Sequence, residues 1–120
     1  MLTTWGYSIR PDGSLMVSNT KQPGAYVATR GITLNPDGSI YTALIALASG
    51  GYYKNSQGFL INPDGSLVTN VVKKAGCYLN TDGFTQNPNG AVYISSTKLA
   101  GAKLDFRNLT FNPDGALFAY

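Results

Sequence analysis

The chain carries six acidic residues, and all are aspartate: Asp12, Asp37, Asp64, Asp82, Asp105 and Asp114. Paired carboxylates could hydrolyse a glycosidic bond as acid and base. Repeated Asp-Gly turns could hold calcium, as they do in some β-rolls. Neither chemistry suits this pattern. The sequence has no Glu and no His, the residues that most often serve as a tuned general base. Five of the aspartates sit in glycine-closed turns and Asp105 aligns with the start of such a turn. Asp favours these places because its side chain bonds nearby backbone N–H groups. Each turn offers a single carboxylate, and one copy has Asn89 in its place. The expectation is structural turn chemistry, with no catalytic residue, no metal and no cofactor.

Cys77 is the only cysteine, so no internal disulfide is available. With no His to activate it, it reads as a small packed side chain. Two other groups could carry binding. Lys21, Lys73 and Lys98 fall in one column of an internal repeat, where stacked copies would make a basic stripe. Such lysines either protect strand edges or contact an acidic partner. Trp5, Tyr26, Tyr52, Tyr53 and Tyr78 combine large apolar area with a polar tip, which suits sugar stacking or a docking surface as well as ordinary sheet packing.

The elements that position these residues are set by five turns: Arg10-Pro11-Asp12-Gly13, Asn35-Pro36-Asp37-Gly38, Asn62-Pro63-Asp64-Gly65, Asn87-Pro88-Asn89-Gly90 and Asn112-Pro113-Asp114-Gly115. Their glycines are 25, 27, 25 and 25 residues apart, a near-constant period that defines a repeat architecture. Pro presets φ at the second turn position and Gly closes the turn in a left-handed conformation, which is a hairpin signal. A second glycine lies seven residues earlier (Gly6, Gly31, Gly58, Gly83), with Asn108 in the fifth copy. A third follows the long segment (Gly24, Gly51, Gly76, Gly101).

Between these posts the residues alternate as strands do. One column is always aliphatic: Leu15, Ile40, Leu67, Val92 and Leu117. Before each turn the outer positions are apolar, apart from Gln86. The run Ile40 to Ala48 could be helical by propensity, but its counterparts are rich in β-branched residues and tyrosine, so it reads as strand. Copy two carries two extra residues between Ser39 and Gly51; inside a strand, two residues would leave both faces unchanged. The expected fold is all-β without substantial helix. Five repeats of about 25 residues would form one domain over residues 1–120, either a β-solenoid-like stack or an antiparallel meander closing into a barrel.

The bulk properties agree with a small soluble β protein. Hydrophobic content is 43% and the charged fraction 12%, with a net charge of +3. That charge is too small to imply a nucleic acid partner, and no apolar run reaches the roughly 20 residues that span a bilayer. The start lacks the basic and apolar regions of a signal peptide. The first and last copies show no polar cap, so the ends are expected either to meet each other or to be covered by other chains.

Two resemblances bear on function. Tyr52-Tyr53-Lys54-Asn55-Ser56-Gln57-Gly58 and Cys77-Tyr78-Leu79-Asn80-Thr81-Asp82-Gly83 resemble the aromatic-turn-glycine core of cell-wall-binding (choline-binding-type) repeats, a family of stacked hairpins with aromatic ligand cages. Over its whole length the chain is similar in style to short Gly- and Asn-rich repeat proteins of bacteriophage particles: fibres, spikes and capsid decoration proteins. This second likeness implies a non-enzymatic virion protein, made in the host cytoplasm. It would self-associate, with a trimer favoured, and dock onto a larger assembly such as a capsid or tail. The alternative is a carbohydrate-binding module or lectin that uses tyrosines on repeated hairpins.

Overall fold

The computed structural model describes residues 7–28, 31–43, 53–55, 58–80, 83–105 and 109–120. Trp5, Tyr52, Asp82, Asn108 and the run after Ala43 lie outside them. The described residues form thirteen strands: β1 Val17–Ser18, β2 Tyr26–Val27, β3 Thr33–Leu34, β4 Ile40–Ala43, β5 Tyr53–Lys54, β6 Leu60–Ile61, β7 Leu67–Asn70, β8 Tyr78–Leu79, β9 Thr85–Gln86, β10 Val92–Ser95, β11 Lys103–Leu104, β12 Thr110–Phe111 and β13 Leu117–Phe118. The fold is all-β, and no helix occurs among the described residues.

Each of copies two to five is a three-strand unit. An outer strand (β2, β5, β8 or β11) pairs antiparallel with a middle strand (β3, β6, β9 or β12), which pairs antiparallel across the Asn-Pro-Asp-Gly turn with an inner strand (β4, β7, β10 or β13). In all five turns the closing glycine N–H donates to the carbonyl of the first turn residue, at 2.8 to 2.9 Å. The hairpin reading of this motif rests on local chemistry, and the same local bond recurs in every copy.

Between copies the pairing changes sense. The inner strands run parallel: β1 with β4, β4 with β7, β7 with β10, β10 with β13. The stagger repeats, since Val17 faces Ile40, Thr42 faces Leu67, Thr69 faces Val92 and Ile94 faces Leu117. In each case the fourth residue after one turn glycine meets the second residue after the next. A constant stagger lets a sheet roll shut, and here it does. Leu15 and Ala119 form a parallel bridge in the same register, with Leu15 N–H to Phe118 O and Tyr120 N–H to Leu15 O both at 3.0 Å. The inner strands thus close a ring, with the middle strands packed into its core and the outer strands exposed. The arrangement shares parallel pairing between copies with a solenoid and antiparallel pairing within copies with a meander.

The ring encloses one core. Its rungs are the columns Tyr7, Ile32, Phe59, Phe84 and Leu109, and Leu15, Ile40, Leu67, Val92 and Leu117, all buried. Phe84 packs edge-on to Phe59 at 5.2 Å and tilted against Phe111 at 5.5 Å. Among the described residues, the cavity lined by both columns measures about 20 Å³, so this core is packed with side chains.

Gln86 is the polar member of an otherwise apolar column (Ile9, Leu34, Ile61, Phe111) and is fully buried. Its Nε2 donates to the carbonyls of Gly58 at 2.9 Å and Gly90 at 2.7 Å, while Oε1 has no hydrogen-bond partner. Four copies build this place with hydrocarbon, so the amide is not a requirement of the unit. Gln86→Leu removes an orphaned buried acceptor, and the net worth of the lost bonds is only about 1 kcal/mol each. The relief at Oε1 and the two lost carbonyl bonds largely offset, so the expected result is a stability within about 1 kcal/mol of the parent by urea unfolding. A loss of more than about 2 kcal/mol would show that the amide ties copies three and four together.

Candidate functional site

The turn carboxylates are absorbed by their own turns. Asp12, Asp37 and Asp64 each accept through Oδ1 from the N–H and the Oγ of the serine two residues on (Ser14, Ser39, Ser66), at 2.7 to 3.0 Å. Asn89 and Asp114 accept from the N–H of Ala91 and Ala116 in the same way. In the second turn, Asn55, Asn80 and Asp105 cap the N–H of Phe59, Phe84 and Leu109 through Oδ1. Among the described residues no group of three potential metal-ligating side chains comes together.

The second carboxylate oxygen reaches across copies, a role the sequence pattern did not disclose. Tyr41 donates its hydroxyl to Asp64 Oδ2 and Tyr93 to Asp114 Oδ2, both at 3.0 Å. Burial raises both tyrosine pKa values, and the neighbouring carboxylate adds to the effect. At Asp64 burial pushes upward, but the bonds from Ser66 and Tyr41 and the charge of Lys21 outweigh it and leave the carboxyl below its ordinary value. The signal was present as tyrosine three residues after the turn glycine in copies two and four, but a half-buried strand residue carries no partner label.

The asparagines that open the turns have a second task. Asn35 Nδ2 donates to Thr20 O and its Oδ1 accepts from Gln22 N–H. Asn87 does the same with Val72 O and Lys74 N–H, and Asn112 with Thr97 O and Leu99 N–H, all at 2.9 to 3.0 Å. Each grips the loop that leaves the preceding inner strand and leads to an outer strand.

Those loops carry the lysines. Lys21 Nζ lies 3.5 Å from the Asp64 carbonyl and Lys73 Nζ 2.9 Å from that of Asp114, each two copies ahead. Lys98 occupies the same loop position and is exposed. The lysines are therefore distributed around the ring among turn aspartates rather than gathered in one uninterrupted basic stripe. Cys77 is half-buried beside the turn glycine Gly76, with its N–H on Lys74 O.

Tyr26, Tyr53 and Tyr78 lie at equivalent positions on outer strands β2, β5 and β8, all exposed. The most exposed large hydrophobic residues described also lie on outer strands: Val27 at 68% beside Tyr26, Leu79 at 70% beside Tyr78, and Leu104 at 64% beside Lys103. Among the described residues, each outer strand pairs on one side only. The rim thus presents short, open strand edges with uncovered apolar groups, except where Lys54 and Lys103 stand in β5 and β11. One end of the ring forms an open mouth of about 390 Å³, lined by the apolar Val17, Val71, Ile94 and Ala119 and the polar Ser18, Asn19, Thr42, Ser96 and Tyr120. Among the described residues, its lining contains no charged side chain.

At the seam Arg10 stands in the asparagine column. Its guanidinium lies 4.4 Å from the centre of the Tyr120 ring and donates to the Tyr120 carbonyl at 3.3 Å. The Tyr120 hydroxyl donates to Asp12 Oδ2 at 2.6 Å. That bond, followed by those from Ser14, lowers the Asp12 pKa from 3.8 to about 2. A depressed carboxylate pKa contributes stability above the unfolded value that is lost as pH falls through the folded one. The seam is therefore expected to weaken between pH 4 and 2. Tyr120→Phe should move the Asp12 titration, followed by carboxyl NMR, back toward 3.8 and remove this part of the acid sensitivity.

No family model matches this chain, and no match to it was found among curated proteins or solved structures. The class of protein is thus set by its own geometry: a closed ring of β-hairpins whose exposed chemistry lies on its rim and at one mouth.

Proposed function

We propose that this protein is a non-enzymatic structural module that acts by docking and self-association through its rim, of the kind implied by its similarity to bacteriophage particle proteins. The observation that carries this reading is the set of outer strands with open edges and exposed apolar residues. An open strand edge is a template for pairing with another chain, and uncovered apolar surface marks interaction sites. The bare edges are β2 and β8, where Tyr26-Val27 and Tyr78-Leu79 lack the edge lysine found in β5 and β11. A trimer or a larger assembly surface would cover several such edges at once, and multivalent contact makes weak edges effective.

The test is a paired substitution, Val27→Lys with Leu79→Lys. Both sites are exposed, so the fold should persist with stability changed by about 0.5 kcal/mol or less. Sedimentation of the parent should show concentration-dependent association or co-sedimentation with intact particles, and the variant should lose it. A parent that stays monomeric and never sediments with particles would sink the proposal.

A second reading, a lectin, is favoured by the equivalent tyrosines Tyr26, Tyr53 and Tyr78, which would give one sugar-stacking place in each of copies two, three and four. Immobilised glycans separate the two readings. Retention of a stable monomer, lost on Tyr26→Ser, Tyr53→Ser and Tyr78→Ser together, supports the lectin.

A further inference from the structure

We propose that the fifth copy, β11 to β13, is an exchangeable unit, and that the partner it fits is the ring of a second copy of this chain. Three observations lead there, none of which depends on the rim reading.

The first is equivalence. The stagger at the seam, Leu15 against Ala119, is the same as at the four other inner-strand interfaces. The side-chain packing repeats too. Gly13 sits against the Thr110 side chain as Gly65 sits against Thr33 and Gly115 against Thr85. A fifth copy arriving from another molecule would meet the same receiving edges on copies one and four. It would bring the same Tyr120 to Arg10 and Asp12.

The second is connection. Each of the four other interfaces joins strands that follow one another through a single loop and hairpin. The strands at the seam are linked only through the rest of the ring. Copy five is therefore held to copy one by non-covalent contacts alone, and its direct tether to copy four is the stretch 96–102.

The third is the tether itself. Asn112 grips Thr97 and Leu99. Beyond that grip lie Ala100-Gly101-Ala102, small residues bridged by the Ala102 N–H to Leu99 carbonyl bond at 3.2 Å. Residues 96–101 are exposed. If this tripeptide straightens, it spans about 10 Å and carries copy five into a neighbouring ring. The 96–99 stretch of that ring then meets the incoming Asn112. Each ring still has five copies and regains its bonds, so intramolecular and exchanged forms differ chiefly in the hinge and in effective concentration. Leaving the ring uncovers Leu117, Phe118, Ala119 and Leu15, all buried. Exchange is therefore slow in the folded state and is decided during refolding.

The experiment is refolding from urea at protein concentrations spanning about a hundredfold, followed by dilution and size determination by light scattering. The expected result is a dimer fraction that rises with refolding concentration, survives dilution for hours, and has the circular dichroism of the monomer. Deleting Ala100 and Gly101 shortens the hinge and should shift the population toward dimer. Val27→Lys with Leu79→Lys should leave that dimer unchanged. Rim association behaves oppositely: it reverses on dilution and disappears in the lysine variant. A monomer at every refolding concentration, with the shortened-hinge variant folded and also monomeric, overturns the proposal. So does a dimer that dissociates at once on dilution.

Discussion

Gly65→Ala is expected to destabilise the protein by about 3 kcal/mol or more, and Thr33→Ala in the same chain should restore a large part of the loss. Two costs add at this glycine. Its φ is +93°, where a Cβ is disfavoured by roughly 1–2 kcal/mol. A Cβ built there would also run into Thr33 Oγ1 of the preceding copy and lie 3.3 Å from its Cβ. Overpacking of this kind typically costs a further 1–3 kcal/mol. Gly83 separates the two terms, because its φ is +87° and a Cβ there meets nothing within 4 Å. Gly83→Ala should therefore show the backbone cost alone. Thr33 Oγ1 is buried and has no hydrogen-bond partner, so Thr33→Ala by itself sacrifices little. Urea unfolding of the two glycine variants and the double variant tests the argument. Equal losses at Gly65 and Gly83, or no recovery with Thr33→Ala, would show that the contact between copies is not what fixes the Gly65 column.

This contact marks where sequence reading stops. The turns were legible because their chemistry is local: proline at the second place, a side-chain oxygen bonding two residues on, glycine at the end. The aliphatic column from Leu15 to Leu117 was legible because the side-chain period of a strand is two. Strand was also the correct choice for Ile40–Ala43. Thr42 keeps the common register with Leu67, so the two extra residues of copy two fall after Ala43, beyond the described strand. Parallel pairing between copies was not legible, since an alternating pattern is the same for a parallel or an antiparallel neighbour. Closure was legible only as one of two alternatives, ends that meet or ends that other chains cover; the Leu15–Ala119 bridge shows that they meet, and the stagger over five interfaces that decides this carries no local signal.

Of the candidate site, the sequence identified Tyr26, Tyr53 and Tyr78, and the structure places them as equivalent exposed residues on outer strands. The basic stripe was the weaker inference. A column of lysines in an alignment becomes a stripe only if copies stack along a line. Around a ring, Lys21 and Lys73 point at different turns. The sequence marks the turn asparagines as turn formers; the structure shows that their amides also fasten the loops. The clue was the replacement at Arg10, the one copy where the opposing segment is Tyr120. Closure of the seam also changes the case for self-association. Copies one and five cover each other, so that case rests on the outer edges and on exchange of the fifth copy.

Asn87→Ala is the substitution that links stability to the proposed docking surface. Asn87 is fully buried. Its truncation removes a donor to Val72 O and an acceptor for Lys74 N–H, at 2.9 Å each. Leaving a buried partner unsatisfied costs about 1–3 kcal/mol per group; the part-buried backbone partners here recover some bonding from water. The expected loss is about 2–4 kcal/mol in a urea titration. The local effect is more diagnostic than the total. The loop from Val71 to Gly76 would lose its fastening to copy four, and with it the placement of Lys73 on the Asp114 carbonyl. Amide exchange should therefore accelerate at Lys74 and across the 71–77 segment before it does so in β7 or β10. Asn87→Asp keeps the acceptor for Lys74 N–H, so it should retain more protection at that amide than Asn87→Ala while losing the bond to Val72. If rim docking is correct, both variants should weaken it without touching Tyr78 or Leu79, because β8 begins immediately after the fastened loop. Uniform acceleration of exchange throughout the ring would mean that Asn87 supports the core as a whole and does not set the geometry of the edge that follows it.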